Sequence, residues 1–375
     1  DQNGNGEAPV DRTPLNYGDY ADENNSWSFD AFTSDTELGG LGNLIFGQVC
    51  PNADDINNDV QGPIYYGDTF GAGGTAPLVQ VLDNSDVPVP VLVSGGIINY
   101  SPIMIGYGNN GQLRWSAPGE PNNWPVLNVQ IISNEKIIKM GIYRGQLLAW
   151  TPTSLIALNY VPATETTLNF FTVVPIRTNI TVLSPNSIIS YNQQYFWPGS
   201  KGQFYQYNGL CTELPNTMST NWFYENINLS QRSKCWAIVI DKFQEVWFHY
   251  PRGDATECSD VVMACLKKDI QFWFDSTLAR GAGISSGSFP FPIMTDNTPV
   301  PIPTRIGPIS TYPVWMHEFG YDKVINENTK YSINSYFQTN YFRLFDGNPN
   351  NNLAMRVTSV HNDFKERGDL SLTVQ

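Results

Sequence analysis

An apolar run meets two or three polar residues and returns as a second run heavy in aromatics, and this unit recurs along most of the chain. Pro102–Gly108 leads through Asn109-Asn110-Gly111 to Gln112–Trp115, and Lys139–Tyr143 leads through Arg144-Gly145 to Gln146–Trp150. Ile188–Tyr191 leads through Gln193-Gln194 to Tyr195–Trp197, and Lys201-Gly202 precedes Gln203–Tyr207. Cys235–Ile240 turns at Asp241-Lys242 into Glu245–Tyr250, and Val261–Leu266 turns at Lys267-Lys268-Asp269 into Ile270–Phe274. So short a polar break between two strand-like runs is the mark of a tight β-hairpin. Aromatics alternate with polar residues in these runs, as strands with one buried face require. No segment shows sustained helical periodicity.

Serial hairpins predict an all-β protein: a β-propeller-like array of antiparallel hairpin blades with loop insertions. Radial repetition accommodates successive hairpins while leaving few strand edges open. The alternative is a set of stacked β-sandwiches. Late-strand aromatics at Trp115, Trp150, Tyr205, Trp247, Trp273 and Trp315 are unevenly spaced, so the repeat does not fix the number of blades. Residues 1–40 read as a polar arm or loop layer, with apolar residues scattered without period. Residues 41–375 read as the propeller domain. Within it, 279–313 is rich in Gly and Pro (Gly281–Gly287, Phe289–Pro292, Pro299–Pro303) and reads as an inserted connection. Strands resume at Val314–Phe319 and Tyr331–Phe337, and further strand-like runs follow at Leu353–Val357 and Leu370–Val374. The start at Asp1 reads as a processed product or part of a longer gene product.

The formal net charge is −14, from 21 basic and 35 acidic residues. That balance excludes gripping a nucleic-acid backbone through clustered Lys and Arg, while an acidic wall lets a duplex slide past. The 5 cysteines (Cys50, Cys211, Cys235, Cys258, Cys265) form no Cys-x-x-Cys pair, which disfavours a zinc site or a disulfide scaffold. They read as free thiols of a reducing compartment, with Cys235 and Cys265 as core residues. No apolar run is long enough for a membrane span.

Catalytic machinery is not legible. His249, His317 and His361 are unpaired along the chain and read as structural or surface residues. Gly283-Ile284-Ser285-Ser286-Gly287 matches a nucleophile-elbow string, but the Pro-rich sequence after it forbids the helix that an elbow needs. Asp1–Gly6 and Asp55–Asp59 begin like calcium loops and lack the later ligands, Arg12 and Tyr66 standing where a Glu is required. Glu245, Asp254, Glu257 and Asp260 lie near aromatics, without a feature that selects a glycosidase pair. No catalytic, cofactor-binding or metal residue is therefore assigned, and no cofactor is expected.

The most distinctive string is Arg114-Trp-Ser-Ala-Pro-Gly-Glu-Pro-Asn-Asn-Trp124, a turn cluster closed by a Trp suited to plugging a blade end. It resembles a string of the tail nozzle proteins of short-tailed bacteriophages, also called tail tubular protein B or packaged-DNA stabilisation proteins. Gly145–Leu155, Val314–Gly320 and Ile333–Thr339 resemble further strings of that family, in the same order. The resemblance runs over residues 97–345 and excludes the polar first 40. It implies a propeller core in a structural virion protein without enzyme activity. Six copies would form a ring below a portal-proximal adaptor ring and beside tail fibres or tailspikes. The ring would retain the packaged genome, pass double-stranded DNA without reading its sequence, and open for ejection. The protein would be made in the host cytoplasm and end in the phage tail. Two other readings fit the residues: a carbohydrate-binding or glycan-cleaving propeller, and another virion hub that docks tail fibres.

Overall fold

A computed structural model describes residues 26–33, 43–50, 64–68, 79–82, 95–164, 168, 170–267, 270–285, 289–304, 307–319, 322–326 and 329–332. The chain divides into two compact units, Asp1–Phe319 and Gly320–Gln375.

The first unit is a β-propeller of six antiparallel blades. Blade 1 holds β1 (Ser26–Thr33), β2 (Asn43–Cys50), β3 (Ile64–Asp68) and β4 (Val79–Gln80). Blade 2 holds β5 (Gly96–Tyr100), β6 (Ile103–Tyr107), β7 (Gln112–Trp115) and β8 (Val129–Ile131). Blade 3 holds β9 (Lys139–Tyr143), β10 (Gln146–Trp150), β11 (Ser154–Val161) and β12 (Phe170–Thr178). Blade 4 holds β13 (Ile189–Tyr191), β14 (Gln194–Pro198), β15 (Phe204–Tyr207) and β16 (Cys211–Glu213). Blade 5 holds β17 (Trp236–Ile240), β18 (Glu245–Tyr250), β19 (Asp260–Lys267) and β20 (Ile270–Thr277). Blade 6 holds β21 (Ala282–Ile284), β22 (Ile293–Thr295) and β25 (Val314–Met316), with the hairpin of β23 (Val300–Thr304) and β24 (Gly307–Thr311) inserted before its last strand. In the second unit, β26 (Asp322–Asn326) pairs with β27 (Thr329–Ser332).

Local sequence explains the hairpins. Arg144 and Gly145 have φ of 49° and 81°, and Asn192 and Gln193 have 49° and 57°. Two successive left-handed residues reverse a twisted strand pair without splaying it. Strand order follows chain order within each four-stranded blade, and first strands contact one another from blade 1 through blade 3 and from blade 4 through blade 6.

Side chains of alternating parity leave each blade by opposite faces, and the core forms where faces meet. Phe32, Leu44, Phe46 and Ile64 of blade 1 pack on Ile97, Met104 and Trp124 of blade 2. The opposite face of blade 2 (Ile103, Ile105, Trp115) meets Met140, Ala149 and Phe171 of blade 3. Trp150 and Leu155 of blade 3 meet Trp197 and Tyr205 of blade 4. Phe196 and Phe204 of blade 4 meet Phe248 and Val262 of blade 5. Trp236, Ile238 and Met263 of blade 5 enclose Met294 of blade 6. Polar clamps reinforce several of these joints, as two examples show. Gln130 Nε2 donates to the Phe171 carbonyl and its Oε1 accepts from the Phe171 N–H, both at 2.8 Å, which ties β8 to β12. Arg177 of β12 donates to the Cys211 carbonyl at 2.9 Å and pairs with Glu213.

Three sequence expectations need correction. The propeller starts inside the predicted arm, because Ser26–Thr33 is the inner strand of blade 1; residues 1–25 and 34–40 lie outside the described residues. The compact unit that holds the six blades spans Asp1–Phe319, and Gly320–Gln375 forms the second unit. Residues 279–313 are not merely a connection, since they supply β21 and β22 of blade 6 together with the β23–β24 hairpin. The described residues also include an α-helix, α1 (Met218–Asn226), between blades 4 and 5. It starts at a reciprocal capping box of Thr217 and Thr220 and buries only Thr220 and Phe223. The strand-like runs Leu353–Val357 and Leu370–Val374 lie outside the described residues.

Candidate functional site

Polar and titratable groups gather where blade 5 meets blade 6. Arg280 follows β20, and its Nε donates to His317 Nε2 at 2.9 Å. Asp296, just after β22, stands 3.8 Å from Arg280 Nη1 and accepts from Trp315 Nε1 at 3.1 Å. The Arg280 carbonyl accepts from Trp236 Nε1 at 3.1 Å. His317 is fixed by its own N–H, which donates to the Pro292 carbonyl at 2.8 Å.

The chemistry of this cluster follows from burial. Loss of solvent, with the Arg280 charge added, pushes His317 down to about 4. The ring is therefore neutral at pH 7, and its Nε2 lone pair is occupied by Arg280. Burial first, then Arg280 and His317, pushes His249 down to about 3. His249 is fully buried, and neither ring nitrogen has a partner within hydrogen-bond geometry; the Leu278 backbone acts on the ring and opposes the shift. Burial raises Glu318, against the pull of Lys242. No general base is poised at neutral pH in this cluster. The arrangement acts as a clamp between the last two blades.

A recess of about 410 Å³ lies between the β9–β10 and β13–β14 turns, lined by Ile142, Tyr143, Arg144, Ser190, Gln193 and Tyr195. Tyr195 Oη donates to the Ile142 carbonyl at 2.9 Å, and burial raises its phenol above the ordinary value. The Arg144 guanidinium lies 5.2 Å from the centre of the Tyr143 ring. The lining offers a cation, phenols and amides, with no carboxylate and no base beside Ser190.

The groups singled out from sequence serve the framework. The Ser116–Trp124 string is a compact turn in which Ala117 N–H donates to Asn123 O at 2.7 Å and Trp124 Nε1 to Pro121 O at 2.8 Å. Trp124 is fully buried between blades 1 and 2, as a plugging residue should be. Glu245 accepts from Trp247 Nε1, Glu257 pairs with Lys234, and Asp260 accepts from Ser259 Oγ and Arg252. Asp254 is exposed in a turn. Gly283 belongs to β21, where a Cβ would stand 2.9 Å from the Trp236 ring, so glycine there serves close packing. His361 and the loops at Asp1–Gly6 and Asp55–Asp59 lie outside the described residues. Cys211, Cys235, Cys258 and Cys265 are buried free thiols. Among the described residues no three His, Cys, Asp or Glu side chains gather as metal ligands, and no helix is long and apolar enough to cross a membrane. Sequence reasoning missed Arg280 and Asp296. Their signal was an isolated Arg and Asp flanking a Gly- and Pro-rich stretch, and nothing local couples them.

No protein-family model matches the sequence, and no curated protein sequence matches it either. Solved structures with a similar chain path include an ancestral GH74 enzyme, at 10% identity and TM-score 0.44, over 78% of this chain and 42% of that one. BamB from Moraxella catarrhalis aligns at 11% identity and TM-score 0.38, over 75% of this chain and 74% of that one. The WD40 β-propeller domain of Doa1 aligns at 8% identity and TM-score 0.34, over 72% of this chain and 79% of that one. Likeness at this level concerns fold alone.

Proposed function

We propose that the chain is a structural subunit of a bacteriophage tail nozzle, a ring that holds packaged DNA and releases it. The carrying observation is the ordered set of strings resembling that family, at Arg114–Trp124, Gly145–Leu155 and Val314–Gly320. In the fold these strings are joints. The first ends β7 and seats Trp124 between blades 1 and 2; the second holds a hairpin turn, β10 and the start of β11. Residues that set blade geometry are the ones a shared architecture would keep recognisable. The net charge of −14 fits a conduit that DNA must leave without adhering. On this reading the clamp of Arg280, Asp296 and His317 is structural and the protein is not an enzyme. Electron microscopy of the purified chain, and of phage particles containing it, tests the proposal. A sixfold ring with a central channel at the distal tail is expected. A strictly monomeric chain that is absent from every virion would overturn it.

The recess at Tyr143, Arg144 and Tyr195 favours a second reading, a glycan-binding propeller, because phenols and a guanidinium suit sugar hydroxyls and acidic sugars. A glycan array with the wild-type chain and Arg144→Ala decides it. Binding that the substitution abolishes supports this reading, and no binding removes it.

A further inference from the structure

Blade 3 outreaches blade 4. Its outer strands β11 and β12 run for eight and nine residues, whereas blade 4 ends in β16, which has three. Blade 4 is tied to β12 at Arg177, which holds the Cys211 carbonyl and Glu213. Earlier on the same strand, Phe170 and Val174 are 40% and 50% exposed.

The face bared in this way carries a row of polar side chains. Tyr143 pairs with Gln146 across β9 and β10, Gln146 Nε2 donates to Asn159 Oδ1 at 3.2 Å, and Asn159 pairs with Thr172 across β11 and β12. The row lies on the side turned to blade 4, where Tyr143 packs edge-on against Tyr207, and Leu148 and Ala157 of the adjacent row join the same core. Four strands about 4.8 Å apart give it a span of roughly 14 Å, longer than a single sugar ring. Asn159 and Thr172 are exposed and Gln146 is half-buried. The bond between the two amides leaves the Gln146 Oε1 acceptor and the Asn159 Nδ2 donor for a ligand.

The row begins at the recess, because Tyr143 lines both. The Tyr143 hydroxyl is buried without a hydrogen-bond partner, next to Gly209 of the β15–β16 turn, where a Cβ would stand 3.4 Å from it. A buried polar group left unpaired is costly, and it marks a place that is completed from outside. Arg144 lies over the Tyr143 ring and makes no ion pair among the described residues, in a chain of net charge −14.

We propose that the recess and the row form one groove for an acidic oligosaccharide, with a uronate carboxylate at Arg144 and successive sugar hydroxyls along Gln146, Asn159 and Thr172. This rests on the glycan reading above and extends it from a pocket to a site for a chain of sugars, with a defined direction. A guanidinium takes a carboxylate through two parallel N–H bonds. Amide and hydroxyl side chains match sugar hydroxyls, which both donate and accept. Phe170 and Val174 flank Thr172 on the same face and offer apolar surface to the C–H faces of the rings.

Calorimetric titration of the full chain with uronic-acid oligosaccharides of increasing length, and with the same oligosaccharides reduced at the carboxyl to neutral sugars, tests the groove. Affinity should rise with length beyond one sugar and fall about tenfold or more on carboxyl reduction. Arg144→Ala should erase the difference between the acidic and neutral forms. Asn159→Ala and Thr172→Ala, at exposed positions, should weaken the longer ligands about tenfold and leave the single uronate unaffected. Thermal midpoints equal to wild type verify that these variants are folded. Equal affinity for acidic and neutral forms, equal affinity for one sugar and many, or indifference to Asn159→Ala and Thr172→Ala would overturn the groove and leave glycan binding standing. Failure of every saccharide to bind would overturn both, and neither result touches the ring.

Discussion

The indole of Trp236 lies flat against the imidazole of His249, with ring centroids 4.2 Å apart and planes 6° from parallel. His249 titrates at about 3 in this setting, against an ordinary 6.5. Between those values the unfolded chain binds a proton that the folded chain refuses, so acid favours unfolding. The contribution is whole above pH 6.5 and drains as pH falls toward 3, by up to about 1.4 kcal/mol per pH unit. Urea midpoints should fall more steeply from pH 7 to pH 4 in wild type than in His249→Phe, which keeps the stack and removes the titration. Parallel slopes would contradict this account.

The buried thiols predict a simple labelling pattern. Burial pushes Cys211 up to about 11 and Cys258 up to about 12, and Cys235 rises well above its usual range. The thiolate is the reactive form, so a thiol reagent at pH 8 should leave Cys211, Cys235 and Cys258 unmodified in the native chain, and Cys265, 1% exposed, is out of its reach. All should react in guanidinium, and mass spectrometry of the labelled peptides reads the result.

Trp124 fills the joint of blades 1 and 2 and satisfies its own N–H within the turn. Trp124→Ala should cost about 3–5 kcal/mol, from lost burial and the cavity left behind. Hydrogen exchange should show the loss first in β1 and β2, whose core includes this indole. Uniform loosening of all six blades would argue against a local joint.

The Gln130 side chain bonds both backbone groups of Phe171 on the neighbouring blade. Gln130→Ala should cost roughly 1–3 kcal/mol by stranding the buried Phe171 amide and carbonyl. Gln130→Glu should not restore it, because a carboxylate oxygen then faces the Phe171 carbonyl. Denaturant unfolding of both variants measures the difference.

Blades 2 to 5 were legible because their turns announce themselves. Arg144-Gly145 and Asn192-Gln193 sit between runs whose aromatics alternate, and the reversal follows from those residues alone. Blade 1 was harder, because Ser26–Thr33 interleaves Trp27, Phe29 and Phe32 with Ser, Asp and Thr in a polar neighbourhood, and its burial depends on blade 2. Blade 6 was masked by its Pro-rich inserted hairpin, where Pro301 and Pro303 fall in a two-stranded ribbon that tolerates them. Helix α1 eluded periodicity because only one of its large apolar side chains is fully buried, and its signal was the Thr217–Thr220 cap. Of the blade 5–blade 6 clamp, His317 was visible as a residue. Its coupling to Arg280 crosses 37 positions and exists only in space.

Strand order inside the four-stranded blades follows the order of synthesis. A ribosome therefore delivers each sheet complete before the next begins. Folding can advance vectorially behind the exit tunnel, every new sheet docking on the one just finished, with little need to hold distant segments in wait.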